Sequence, residues 1–168
     1  ERINIAIETQ EKIAVFGDYD CDGITATVLL VEYFKSRNID VIYKIPNRDE
    51  DGYGMNTRQI DEAKDEGVSL IITVDNGINS VDEIEYANSL DIDIVITDHH
   101  LPKGETPNAV AVVDPHRNSN DIFKDLSGVG VAFKLVCAIE HRAPEEMLPY
   151  FGDLVAIGTV ADIMPLVE

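Results

Sequence analysis

The chain has 168 residues, of which 45% are apolar, and a formal net charge of −19. This length and apolar content suit one compact domain with a sizeable core and exclude a disordered chain. No apolar run is long enough to cross a bilayer and no signal peptide is visible, and the charge argues against unaided electrostatic binding of nucleic acid, which relies on Lys and Arg.

Strand-like and helix-like segments alternate. Ile13–Phe16 reads as a strand, and residues 25–35 are apolar at helical spacing with Gly23 just ahead. Residues 41–45 form a second strand closed by Pro46. Residues 57–66 read as a helix, with Thr57 or Asn56 as N-cap and Gly67 as its stop. Leu70–Val74 is a third strand, 81–90 a helix capped by Ser80, 94–97 a fourth strand and 109–113 a fifth. Residues 130–140 and 154–161 read as helices, and 103–108 and 116–126 as polar loops.

The strands are short and nearly all apolar, as strands buried on both faces are. Their alternation with helices implies right-handed βαβ units and a parallel sheet. The expected fold is α/β in three layers, a mainly parallel five-stranded sheet in the order 2-1-3-4-5 with helices on both faces. Such sheets bind ligands outside the carboxyl ends of their strands, near the point where strand order switches. Asp18-Tyr19-Asp20-Cys21-Asp22-Gly23, Asp75 and Asp98-His99-His100 directly follow strands one, three and four. They converge on one edge if strand one neighbours strand three.

In an extended segment Asp20 and Asp22 place both carboxylates on one side, with Asp18 continuing the alternation. The segment reads as paired ligands for hard divalent ions, or as an Asx-rich turn capping a helix. Asp75-Asn76-Gly77 could be a plain turn; beside the first motif, Asp75 becomes a candidate bridge between two metals. The side chains of His99 and His100 diverge, so one can be a ligand while the other faces substrate. A mixed carboxylate and imidazole set suits manganese and, less strictly, magnesium. Two such ions, roughly 3.5–4 Å apart, would activate a water in a phosphoryl displacement. Asp162, in an apolar helix-like stretch, is either a further ligand or an exposed helix-end carboxylate.

Other signals are weaker. Arg48 could meet a phosphate and Tyr53 a base or sugar, or both could belong to a glycine-rich surface loop. Gly128 and Gly130 could offer backbone N–H groups to an anion, or allow close packing of a helix on the sheet. His116 and His141 read as surface residues. Cys21 and Cys137 lack CxxC spacing, which fits a reducing cytoplasm and argues against structural zinc; Cys137 reads as core and Cys21 as a small packing residue.

Together and in this order, the segments 17–25, 45–48 with 52–54, 73–77, 98–100, 126–132 and 158–162 resemble the DHH phosphoesterase superfamily. Within it they look most like the bacterial RecJ-type single-strand-specific exonucleases. The resemblance covers nearly the whole chain and implies two manganese or magnesium ions. It places Asp20, Asp22, Asp75, His99 and Asp162 at metal-ligand positions, with Asp75 bridging, and His100 at the scissile phosphate. Asp18 and Asp98 match acids that complete or orient the site, Asp18 within reach of a metal. The implied activity is removal of nucleotides from the 5′ end of single-stranded DNA in repair and recombination.

The chain departs from the family pattern at Cys21, where Ala is usual, and by stopping just after the last motif. Starting at Glu1 rather than Met, it is expected to be a piece of a longer protein. Residues 1–168 would be the catalytic domain, and absent C-terminal domains would supply most of the basic and stacking surface for DNA. Two other readings stand: a relative acting on short oligonucleotides, cyclic dinucleotides or pyrophosphate, and a catalytically dead structural module. The presence of every motif acid and both histidines argues against the second.

Overall fold

The computed structural model describes residues 1–47, 54–117 and 123–166. In chain order the elements are α1 (Arg2–Glu8), β1 (Ile13–Phe16), α2 (Cys21–Ser36), β2 (Val41–Lys44), α3 (Thr57–Asp65) and β3 (Leu70–Val74). They continue with α4 (Val81–Ser89), β4 (Asp93–Thr97), β5 (Ala111–Val113), α5 (Gly128–Glu140) and α6 (Pro144–Ala161). The sheet runs β2-β1-β3-β4-β5, and every pairing is parallel. The expected architecture and strand order are therefore observed. The order switches between β1 and β3, with β2 on one side and β4 on the other.

Period-two alternation sends successive strand side chains to opposite cores. Ile13, Val15, Leu70, Ile72 and Val74 face a core shared with α1, α2, α5 and the start of α6. Ala14, Phe16, Ile71, Ile94 and Ile96 face a smaller core under α3 and α4. The central strands are thus apolar throughout, while β2 and β5 at the edges are partly exposed.

Four expectations about the elements need correction. Helix α2 starts at Cys21 rather than residue 25, because Asp20 caps it by accepting from the Gly23 N–H at 2.8 Å. The segment holding Asp20 and Asp22 is therefore a helix start, not an extended strand. Helix α6 starts ten residues earlier than expected and carries Pro149 inside it, although proline removes a helical N–H. Helix α1 had no counterpart in the sequence reading. Cys21 is exposed rather than packed; Cys137 is buried as expected.

Helix α1 is held by charge at the amino end of the sheet. Arg2 reaches Asp93 at the start of β4 and Glu11 just before β1, each at 2.5 Å. Glu11 also accepts from Ser69 Oγ, just before β3, at 2.5 Å. Among the described residues no helix is long and apolar enough to cross a membrane.

Candidate metal centre

The carboxyl ends of β1, β3 and β4 deliver the predicted acids and histidines to one place. After β1 the chain turns through Asp18, which is buried, into the cap residue Asp20 and the first turn of α2. A Cβ on Gly23 would lie 2.7 Å from the backbone N and O of Asp18. Glycine is needed there for close approach rather than for an unusual turn. Asp22 is buried, and both its oxygens are engaged by the amino end of α5. Oδ2 accepts from the Gly128 N–H at 2.5 Å and Oδ1 from the Val129 N–H at 2.9 Å. A helix amino terminus stabilises a nearby negative charge.

Asp75 follows β3 in the left-handed backbone region, at φ 61°. Its N–H still bonds Thr97 O at 3.1 Å, continuing the ladder to β4. The next side chain, buried Asn76, donates to Phe16 O at 3.1 Å and Val74 O at 2.9 Å. It thereby ties together the two strand ends from which the acids emerge.

In the Asp98-His99-His100 triplet the three residues do different things. Asp98 is buried and acts as an organiser. Its Oδ2 accepts from the Ile78 N–H at 2.9 Å, and its Oδ1 from the His99 and His100 N–H groups at 2.7 and 3.1 Å. His100 Nδ1 lies 2.8 Å from the same Oδ1. His99 points instead into the acids: Nε2 is 3.0 Å from Asp75 Oδ1, 3.7 Å from Asp162 Oδ2 and 3.8 Å from Asp22 Oδ2. Asp162 itself ends α6 as its C-cap.

The electrostatics follow from this crowding. Burial, then the neighbouring acids Asp22 and Asp20, push the Asp75 carboxyl above its ordinary range. Burial likewise raises Asp18 and, against its two backbone hydrogen bonds, Asp22. Burial would lower His99, but the bond to Asp75 and the charges of Asp75, Asp162 and Asp22 prevail and raise it. Burial would raise Asp98, yet its bonds to His100 and Ile78 hold it low. His100 is raised, first by its bond to Asp98.

This donor set fits a hard divalent cation. Three groups of possible ligand atoms, each within 4.8 Å of one another, are Asp22/His99/Asp162, Asp18/Asp20/Asp75 and Asp75/His99/His100. Buried Asp18 Oδ1 has no hydrogen-bond partner among the described residues, and an orphaned carboxylate oxygen amid other acids calls for a cation. Oxygen ligands with one imidazole suit manganese or magnesium.

All eight predicted catalytic and metal residues thus meet at one edge. Of the four substrate candidates, Arg48 and Tyr53 lie outside the described residues. Gly128 and Gly130 have their N–H groups occupied within the protein, by Asp22 and by Ser127 Oγ, so neither N–H is left for a substrate. His141 is an exposed helix cap, whereas the His116 N–H binds Asp114 Oδ1 at 2.7 Å. Asp114 was missed by sequence reasoning. It is a buried acid directly after β5, with Oδ2 unpartnered among the described residues. Its signal was the same as the others: an acid at the end of an apolar strand.

Comparison with known proteins agrees with this geometry. The DHH family, N-terminal domain, matches over residues 12–159. The single-stranded-DNA-specific exonuclease RecJ of Bacillus subtilis (strain 168) is 46% identical over 167 residues, 99% of this chain and 21% of that protein. A crystal structure of exonuclease RecJ bound to manganese has a TM-score of 0.87 at 34% identity, covering 98% of this chain and 42% of that one. RecJ from Thermus thermophilus in complex with Mn2+ gives 0.82 at 32% identity, covering 98% and 24%. The chain spans about a fifth of the length of the Bacillus relative.

Proposed function

The chain belongs to the DHH family, and from that premise we propose that it is the catalytic domain of a metal-dependent phosphodiesterase hydrolysing single-stranded DNA from the 5′ end. The role would lie in DNA repair and recombination, in the cytoplasm. The observation that carries this reading is the convergence of Asp18, Asp20, Asp22, Asp75, His99 and Asp162 in overlapping groups, within each of which possible ligand atoms lie within 4.8 Å of one another.

Asp20, Asp22, Asp75, His99 and Asp162 would hold two manganese or magnesium ions, with Asp75 shared between them. Bound there, the ions supply charge neutralisation at phosphate oxygens and an activated water. The remaining work falls to the chain. Asp98 fixes the His100 ring through Nδ1 at 2.8 Å, which would orient His100 toward the scissile phosphate. The Gly128 and Val129 N–H groups favour the charged form of Asp22, against the effect of its burial, and aim it at the site. Asn76 sets the spacing between the β1 and β3 ends. The 5′ end of the strand would be held mainly by chain outside residues 1–168.

A hydrolysis panel with manganese tests the proposal, offering the full-length protein 5′-phosphorylated single strands, dinucleotides, cyclic dinucleotides and pyrophosphate. Single strands should be degraded fastest, and Asp75→Ala should lose at least about 100-fold in rate together with tight manganese binding. No manganese-dependent hydrolysis would end the enzymatic reading. Faster turnover of dinucleotides would move the substrate to short oligonucleotides. Two tight manganese ions in calorimetry of Asp75→Ala would refute the shared ligand.

A further inference from the structure

Beside the metal centre lies a cleft of about 670 Å³ into which His100 projects. One wall is the segment after the histidines, with Leu101 and Lys103; the other is the start of α4, with Ser80 and Glu83, and Met55 beside it. The first wall is pinned by Asn79, whose Oδ1 accepts from the Lys103 N–H at 2.8 Å and whose Nδ2 donates to Leu101 O at 3.3 Å. The position of Lys103 relative to His100 is therefore set by the fold rather than left to a loose loop.

The charges in this cleft are sorted. Most described Arg and Lys side chains are engaged by carboxylates. Lys103 is exposed in the cleft and has no carboxylate within 4.0 Å among the described residues. In a chain of net charge −19, such a lysine beside a phosphate-directed histidine marks where an anion can be accepted. Glu83 on the α4 wall repels phosphate and, with Ser80, accepts hydrogen bonds from amino groups. Met55 and Leu101 add apolar surface against which a base can lie. The cleft has the size of a small-molecule site. Lys103 stands three positions after His100, at most about 10 Å of chain, a distance on the scale of one nucleotide.

We propose that this cleft seats the nucleotide adjoining the scissile phosphate and that Lys103 holds the phosphate that follows it. The site would then favour a continuing strand of three or more nucleotides over a dinucleotide, which lacks that second phosphodiester. The inference rests on the phosphodiesterase reading above and adds the residue that senses strand length.

Two measurements on the full-length protein test it, each with Lys103→Ala, Lys103→Arg and, as a control, Lys134→Ala on the exposed face of α5. The first is kcat/KM with manganese for a 5′-phosphorylated trinucleotide and dinucleotide. The trinucleotide preference should fall about tenfold in Lys103→Ala, through KM, as expected for one charge-assisted contact. Lys103→Arg should keep most of it, and Lys134→Ala all of it. The second needs no metal: anisotropy of a 3′-labelled oligothymidylate in EDTA, titrated across salt concentrations. The slope of log affinity against log salt should shrink by roughly 0.7 in Lys103→Ala, the value for one fewer phosphate contact on a single strand. An unchanged preference and slope overturn the inference, as does an equal loss on both substrates without a change of slope. If wild type hydrolyses neither substrate the phosphodiesterase reading fails by itself, and the salt slope still decides the role of Lys103.

Discussion

Gly128 shows how tightly single residues are fitted around the metal centre. A Cβ there would stand 2.5 Å from the Cβ of Asp75, and the Gly128 N–H binds Asp22. Gly128→Ala should therefore move Asp75 or lift α5, costing about 1–3 kcal/mol of stability and weakening manganese binding at least about tenfold. Gly130 is a matched control, because the nearest atom to its Cβ would be the flexible Leu126 Cδ2 at 3.4 Å. Gly130→Ala should leave manganese affinity nearly unchanged. Isothermal calorimetry decides, and wild-type affinity in Gly128→Ala would show that α5 yields without disturbing the acids. The acids themselves divide by how their oxygens are used. Asp98 spends both on protein N–H groups and on His100, which makes it a holder of the histidines. Residue pattern placed Asp18, Asp20, Asp22, Asp75 and Asp98 after strand ends, and only the family resemblance set Asp98 apart as an orienting acid. Spacing alone could not, because that depends on which backbone groups face each oxygen.

At the level of elements, the central strands were legible because residues buried on both faces must be apolar, and Leu70–Val74 was read to the residue. The start of α2 was misplaced because Asp20, Asp22 and Gly23 also suit an acidic turn; the capping bond from Gly23 tips the balance to helix. Helix α1, seven residues long, is too short to stand on propensity. It depends on the Arg2, Glu11, Asp93 and Ser69 network, whose members are scattered along the chain. Hydrogen bonds from Arg2 and Ser69 hold the Glu11 carboxyl at about 2, against an ordinary value of 4.5. A carboxyl depressed by folding contributes stability present above 4.5 and lost as pH falls through about 2. Glu11→Gln should therefore lower Tm at pH 7 by about 2–4 °C, equivalent to about 1 kcal/mol. The difference from wild type should close as pH approaches 2. A deficit that persists there in calorimetric scans would mean Glu11 acts through packing rather than charge.

For the whole molecule, the net charge of −19 and the buried acids set one problem, since both oppose folding until something positive arrives. Without metal, protons fill that role. Burial and neighbouring acids raise Asp75 from 3.8 to about 7, and His99 rises from 6.5 to about 9 by the balance of burial against its acidic partners. A group whose pKa is raised on folding contributes stability that is full below its unfolded value and lost as pH climbs through its folded one. The Asp75 contribution thus fades between pH 4 and 7, and that of His99 between 6.5 and 9. Tm in EDTA should therefore fall from pH 6 to pH 9. Divalent ions displace those same protons, so their binding strengthens with pH. A fixed manganese concentration of about 100 times the Kd at pH 7 should add about 2.7 kcal/mol per ion there, or about 5–10 °C in Tm, with a larger gain at pH 8 than at pH 6. Asp75→Asn removes one titrating group and the main partner of His99, so it should flatten the fall in EDTA and abolish most of the manganese gain. A Tm in EDTA that rises across this window, or a manganese gain independent of pH, would show that the acids are not relieved by protons and metal in exchange.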